Sequence, residues 1–142
     1  MDRLELQLCD IQGRLFELSG RNNYDSEGFI KAFMLSDTAK RLDMKYNRLQ
    51  WAGEEYLLEE IIDESNSSIP VNNNIYNNET LYWTGYIYRY WHFYTGESSK
   101  QIYKQAPAKI MNSSYLMFHT MDPSMTIDDL KEIYSQKRGI SS

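Results

Sequence analysis

The side chains best suited to chemistry are two histidines, His92 and His119, the only imidazoles among the 142 residues. With nearby carboxylates such as Glu97 and Asp122, they offer atoms that metals accept as ligands. Zinc sites, however, typically show paired cysteines, an HExxH motif or two histidines four residues apart on a helix. None of these patterns occurs in the sequence. We therefore predict no metal and no other cofactor.

The sequence gives equally little support for a catalytic nucleophile. A catalytic serine or cysteine needs an adjacent base and a group that orients the base. Cys9 lies on the apolar side of the first predicted helix, where packing is the usual role. Ser98 and Ser99 lack the strand-turn-helix motif of hydrolase nucleophiles, and no glycine-rich phosphate loop occurs. The sequence therefore favours a protein that is not an enzyme.

Aromatic residues are concentrated in one segment, where eight of the twenty fall between Tyr82 and Tyr94. At about 100° per residue, a helix over this segment has one broad aromatic face, made by Tyr82, Trp83, Tyr86, Ile87, Tyr90, Phe93 and Tyr94. A helix that is apolar over so much of its girth is normally surrounded by other helices. We predict that this face packs in the core and that the helix is central.

The opposite side of this helix carries a narrow polar strip. Tyr88, Arg89 and His92 lie within one turn, and Gly85 leaves room for another helix or a bound group to approach. We predict that the strip faces outward and forms a partner-binding patch, which consists of Tyr88, Arg89, His92, Glu97 and His119. Arginine would supply charge-assisted hydrogen bonds and the tyrosines contact area, as in many interface hot spots.

A second candidate surface is acidic. It comprises Glu54, Glu55, Glu59 and Glu60, followed by Asp63 and Glu64. Such a cluster is often only the solvated face of a helix. Alternatively, it could steer or cover a basic surface of a partner protein.

Periodic apolar residues predict an all-α, compact bundle of seven or eight mostly short helices around the aromatic one. Valine, a favoured strand residue, occurs only once. We expect helix caps at Asp25 or Ser26, at Ser36, Asn78 and Ser98, and a fourth helix over 50–63. An Asn/Ser-rich stretch at about 65–78 predicts a long loop inside a single domain, 1–142.

Global properties narrow the class of partner. The net charge of −5 argues against nucleic acid as the main partner. No apolar run approaches the roughly 20 residues that span a bilayer, so we expect no membrane insertion. A single cysteine and the lack of a recognisable secretory signal predict a cytoplasmic protein.

Several stretches resemble small uncharacterised all-helical bacterial proteins encoded beside predicted ADP-ribosyltransferase toxins, in toxin–antitoxin-like operons. These stretches are YDSEGFIKAFM at 24–34, LQWAGEEY at 49–56, YIYRYWH at 86–92 and ESS at 97–99. The closing YLMFHT at 115–120 is similar to the end of another small helical protein of such neighbourhoods. The resemblance brings no catalytic motif. It implies an accessory or neutralising component with a toxin-like partner encoded nearby.

Our main hypothesis is therefore an antitoxin-like module that acts by non-catalytic association with a partner protein. The alternative is a nucleotide- or ADP-ribose-binding protein or enzyme with an aromatic pocket around Tyr88, Arg89, His92 and His119. A third option, DNA binding, would require a basic recognition helix, and the sequence contains no clearly basic helix.

Overall fold

The computed structural model describes residues 1–45 and 47–141, with the backbone alone for Arg48, Ile140 and Ser141. Within these residues the chain forms eight α-helices and no β-strand. The helices are α1 (Arg3–Arg21), α2 (Ser26–Met34), α3 (Asp37–Leu42), α4 (Glu54–Glu64), α5 (Asn78–Thr95), α6 (Ser99–Gln105), α7 (Ala108–Phe118) and α8 (Pro123–Ser141). The predicted all-α bundle is confirmed.

Helix boundaries follow local capping signals. The side chains of Asp25, Ser36 and Ser98 each accept a hydrogen bond from the backbone N–H three residues further on, as predicted. The cap of α5 is Asn77, one residue before the predicted Asn78. Gly96 ends this helix with a φ of +80°, a conformation that glycine adopts without steric cost.

The fourth helix begins later than predicted. Residues Arg48–Trp51 form a 3₁₀ turn, Ala52 and Gly53 are extended, and α4 starts only at Glu54. As a result, Trp51 stays off the buried face of α4 and is 80% exposed. The buried side of α4 begins at Leu57.

The core of the fold is the contact between α1 and α5. An added Cβ at Gly85 would clash with the backbone carbonyl of Gln12, so the backbones of α1 and α5 are in direct contact at this point. The close approach predicted at Gly85 is therefore confirmed, and the approaching element is α1. On the same side of α1, the Phe16 ring meets the Phe33 and Tyr88 rings edge-on, with centroids 5.4 and 6.0 Å away. Helix α5 also contacts α6, α7 and α8.

The Asn/Ser-rich loop between α4 and α5 is attached to the corner between α1 and α2. One carboxylate oxygen of Asp25 caps α2, and the other accepts hydrogen bonds from the Asn74 backbone and the Asn73 side chain. The Ser26 hydroxyl accepts a bond from the Tyr76 backbone. Because these bonds satisfy the loop's polar groups, an irregular segment can pack closely against the helices.

Candidate functional site

The aromatic helix α5 is oriented opposite to the prediction. Its deeply buried side includes Thr84, Gly85, Tyr88 and Arg89, whereas most of the predicted core face is only half-buried. The prediction that the strip of Tyr88 and Arg89 faces outward is therefore wrong. The physical reason is the contact with α1, because small residues allow two helix backbones to meet and large rings do not.

Arg89 is part of an internal polar network. Its side chain is 2% exposed, and its Nη1 donates to Oδ1 of Asp43 at 2.7 Å. Its Nε donates to the Gln12 side-chain oxygen at 2.8 Å, and its Nη2 lies 3.5 Å from the Ser99 hydroxyl. With these internal partners, the guanidinium is not available to another molecule in this structure.

Asp43 is the residue that sequence reasoning missed. It follows α3, and its Oδ2 accepts a bond from the Ser99 backbone at the start of α6. Its Oδ1 accepts bonds from the Ser99 hydroxyl and from Arg89. One carboxylate therefore joins α3, α5 and α6. No local sequence motif indicates this role, because 46 residues separate Asp43 from Arg89.

Tyr88 and His92 also have internal partners. Tyr88 is 1% exposed, and its hydroxyl donates to the carbonyl of Ala106 at 2.6 Å. Burial raises the pKa of this phenol well above its usual value, which keeps it a donor. His92 is half-buried, and its Nδ1 lies 2.7 Å from the Glu97 carbonyl oxygen. Because a carbonyl only accepts, Nδ1 carries a proton.

Glu97 binds residues from three helices. Its carboxylate accepts bonds from Trp91 on α5 at 2.9 Å, from Gln105 on α6 at 2.7 Å and from Lys131 on α8 at 2.7 Å. Burial alone would raise the pKa of this carboxyl. The hydrogen bonds, that of Lys131 first among them, outweigh burial and lower the pKa to about 2. The Glu97 carboxylate therefore links α5, α6 and α8 and has a structural role.

The pocket required by the nucleotide-binding alternative is not formed. Arg89 is enclosed in the core, His92 lines a groove beside Trp51 and Phe93, and His119 lies in a different groove. The exposed His119 stacks on the Tyr115 ring, with centroids 4.4 Å apart. Of the five predicted partner-binding residues, only His119 is therefore fully exposed at the surface.

The acidic surface of α4 is largely open to solvent. Glu55 and Glu59 are exposed, while Glu54 and Glu60 are half-buried. Glu64, at the end of the same run, has a structural role. Its carboxylate accepts bonds from the backbone of Asp37 and from the backbone and hydroxyl of Thr38, so it supports the start of α3.

Instead of the polar strip, α5 presents a row of tyrosines. Tyr82, Tyr86, Tyr90 and Tyr94, which we name the tyrosine row, follow each other at four-residue spacing. The first three are half-buried and Tyr94 is 45% exposed. Adjacent ring centroids lie 6.1 and 6.3 Å apart between Tyr82 and Tyr90. The row therefore offers a continuous aromatic surface along the central helix.

Beside this row lies a cavity of about 510 Å³, which we name the aromatic groove. It is lined by Glu17, Glu79, Tyr82, Trp83, Tyr86, Ile87, Tyr115, His119, Met121 and Pro123. The Trp83 and Tyr115 rings meet edge-on with centroids 5.6 Å apart. Helices α5 and α7 thus bring together aromatic rings that are distant in sequence, and α1 and the start of α8 complete the groove.

Carboxylates surround the row and the groove. Tyr94 donates to Asp128, Tyr115 lies 3.4 Å from Glu79, and Asp122 caps the backbone at Ser124. Among the described residues, Glu79, Asp122 and Asp128 form no ion pair with a basic side chain. The aromatic surface therefore has a negatively charged border.

Comparison with known proteins identifies no relative: no family model, no curated protein and no solved structure matches the chain. In the part of the chain that the structure describes, no three His, Cys, Asp or Glu side chains are grouped so that they could hold a metal ion. Across the same residues, no helix combines the length and apolarity needed to cross a membrane.

Proposed function

We propose that this chain is a non-catalytic protein-binding module, an antitoxin-like or accessory component of a bacterial toxin–antitoxin-type operon. The contact surface is the tyrosine row together with the aromatic groove. The observation that carries the proposal is that four tyrosines on the central helix remain partly open to solvent although the chain has a well-filled core. Tyrosine is enriched at interfaces because its ring buries a large area and its hydroxyl still forms hydrogen bonds.

Exposed apolar side chains on two of the helices that form the groove support a contact surface in this region. On α7, Leu116 and Met117 are 83% and 70% exposed, and on α8 Met125 is 57% exposed. A single exposed apolar residue is ordinary on a protein surface, but several on the helices that form an aromatic groove are typical of an interaction site.

The charge of the border favours a basic partner. Glu79, Asp122 and Asp128 would gain ion-pair partners from lysine or arginine side chains across the interface. Such complementarity speeds association and discriminates between partners. The exposed Glu55 and Glu59 of α4 add to the same negative field, so the acidic helix would steer a basic protein towards the chain.

Co-expression with the products of the adjacent genes tests this proposal. We expect the tagged chain to retain one of these proteins in a pull-down and to relieve its toxicity. Absence of both a complex and a rescue would refute the proposal.

Two matched pairs of variants test the surface. Tyr94→Ala and Leu116→Ala should weaken the complex roughly tenfold or more, as expected for interface anchors. The controls are Tyr56→Ala on α4 and Leu35→Ala immediately after α2, at 51% and 46% exposure, and both should have little effect. If only Tyr56→Ala weakens the complex, the contact surface lies on the acidic helix α4 and our assignment is wrong.

A further inference from the structure

The aromatic groove combines ring surfaces with a carboxylate that has no basic partner. Glu79 lies in the first turn of α5, and one of its carboxylate oxygens lies 3.4 Å from the hydroxyl oxygen of Tyr115. The other acidic lining residue, Glu17, is paired with Arg21 on its own helix at 3.0 Å. Glu79 therefore supplies uncompensated negative charge at the groove.

The aromatic groove offers Glu79 no lysine or arginine as an ion-pair partner. Among the described residues neither type lines the groove, where the basic side chain is the imidazole of His119. Burial and the neighbouring Glu79 carboxylate raise the pKa of Tyr115, so the phenol stays neutral and can donate. An anionic ligand would meet only repulsion from Glu79, whereas a cation would be attracted by the carboxylate and the ring faces together.

The aromatic lining of the groove favours one kind of cation. A guanidinium group is planar, is weakly hydrated, stacks on aromatic rings and can form two parallel hydrogen bonds with a carboxylate. An ammonium group is a strongly hydrated point charge and matches such a site less well. The volume of about 510 Å³ is ample for an arginine side chain and the backbone that carries it.

We propose that the aromatic groove binds an arginine side chain of the partner, with the guanidinium held by Glu79 and the rings of Trp83, Tyr86 and Tyr115. This inference rests on the proposed function and specifies what the surface recognises. Glu79 is then the residue that selects for positive charge, and the rings select for a planar group.

Titration with capped tripeptides tests the proposal on the full chain. The probes are acetylated, amidated Gly-Arg-Gly, its lysine analogue and its citrulline analogue, which has nearly the shape of arginine without the charge. The readout is the indole N–H resonance of each tryptophan in NMR spectra. Trp83 lines the groove, Trp51 is 80% exposed elsewhere and Trp91 is fully buried. Trp51 therefore reports non-specific attraction to the acidic protein.

We expect the arginine peptide to shift the Trp83 resonance in a saturable manner, with no comparable shift of Trp51 or Trp91. The citrulline peptide should leave Trp83 unchanged, and the lysine peptide should bind at least threefold more weakly, roughly the difference that stacking makes. No shift of Trp83, an equal shift with citrulline, an equal affinity for lysine, or a parallel shift of Trp51 would each overturn the proposal.

A matched pair of variants tests the role of the carboxylate. Glu79→Gln should weaken arginine-peptide binding by about threefold to tenfold, the range of a partly exposed ion pair with hydrogen bonding. Glu55→Gln removes an exposed glutamate from the first turn of α4 and should leave binding unchanged. Equal effects of the two substitutions would contradict a site at Glu79.

The two proposals fail in different ways. If the wild-type chain captures no neighbouring gene product, the proposed function fails whatever the tripeptides do. If the chain captures a partner but the tripeptides do not distinguish arginine from citrulline, only the arginine assignment fails.

Discussion

Removal of the Asp43 carboxylate should strongly destabilise the fold, because it leaves the guanidinium of Arg89 buried without its ion-pair partner. The side chains of Arg89 and Asp43 are 2% and 11% exposed, and their charged atoms are 2.7 Å apart. Breaking a buried pair by deleting one partner costs about 3–5 kcal/mol. The two bonds from Ser99 to the same carboxylate are lost as well, which favours the upper part of that range.

For Asp43→Ala we therefore expect a loss of about 4–5 kcal/mol in the free energy of unfolding, out of a total of about 5–15 kcal/mol for a typical domain. The melting temperature should fall by roughly 10 °C or more. Urea denaturation followed by far-ultraviolet circular dichroism measures the change. The control is Asp63→Ala, an exposed aspartate on α4, which should change stability by no more than about 0.5 kcal/mol.

A double-mutant cycle isolates the ion pair. Arg89→Met keeps an apolar side chain of similar reach in the core, and the Asp43→Ala/Arg89→Met double variant should lose at least about 2 kcal/mol less than the sum of the single variants. Additive losses, or an Asp43→Ala variant within about 1 kcal/mol of the wild type, would refute the reasoning that Arg89 is an internal structural residue.

Three further predictions concern packing and pH. Gly85→Ala should cost about 2–3 kcal/mol, because its Cβ would meet the backbone of α1. The control Gly139→Ala, whose Cβ would meet no atom of the described residues within 4 Å, should be neutral or slightly stabilising in thermal unfolding. Glu97→Gln should destabilise the protein at pH 7, because the folded-state pKa of Glu97 is lowered from 4.5 to about 2. This contribution is fully present above pH 4.5 and is lost as pH falls towards 2, so the difference in stability from wild type should shrink over this range. Denaturant midpoints measured between pH 4.5 and 2 check the trend, and a constant difference would contradict it. Burial, together with nearby carboxylates, raises the pKa of Tyr76 to about 12 and also raises the pKa of Tyr82. The contribution of the two neutral phenols to stability is therefore present below pH 10 and is lost as pH rises through their folded-state pKa values. Phenolate absorbance and denaturant midpoints measured together above pH 10 should show ionisation accompanied by falling stability, and unchanged midpoints would count against this prediction.

The amino-acid sequence was sufficient to predict the helices themselves. Caps and apolar periodicity act over a few residues, so the caps at Asp25, Ser36 and Ser98 could be assigned from their immediate neighbours. The close approach at Gly85 was also predictable, because a residue without Cβ in a ring-rich helix points to a close contact.

The tertiary structure alone decided which side of α5 faces inward. A helical wheel ranks the faces of a helix by apolarity. The face of α5 that packs against α1 is instead the one with small residues at Thr84 and Gly85, and its Arg89 can be buried because the carboxylate of Asp43 neutralises it. Asp43 neutralises Arg89 across 46 residues of sequence, and no local pattern encodes that distance. Likewise, Trp83, Glu79 and Tyr115 form one groove only because α7 packs beside α5. Local interactions therefore determined the helices, whereas packing between distant segments and burial of a long-range ion pair decided which residues of α5 remain at the surface.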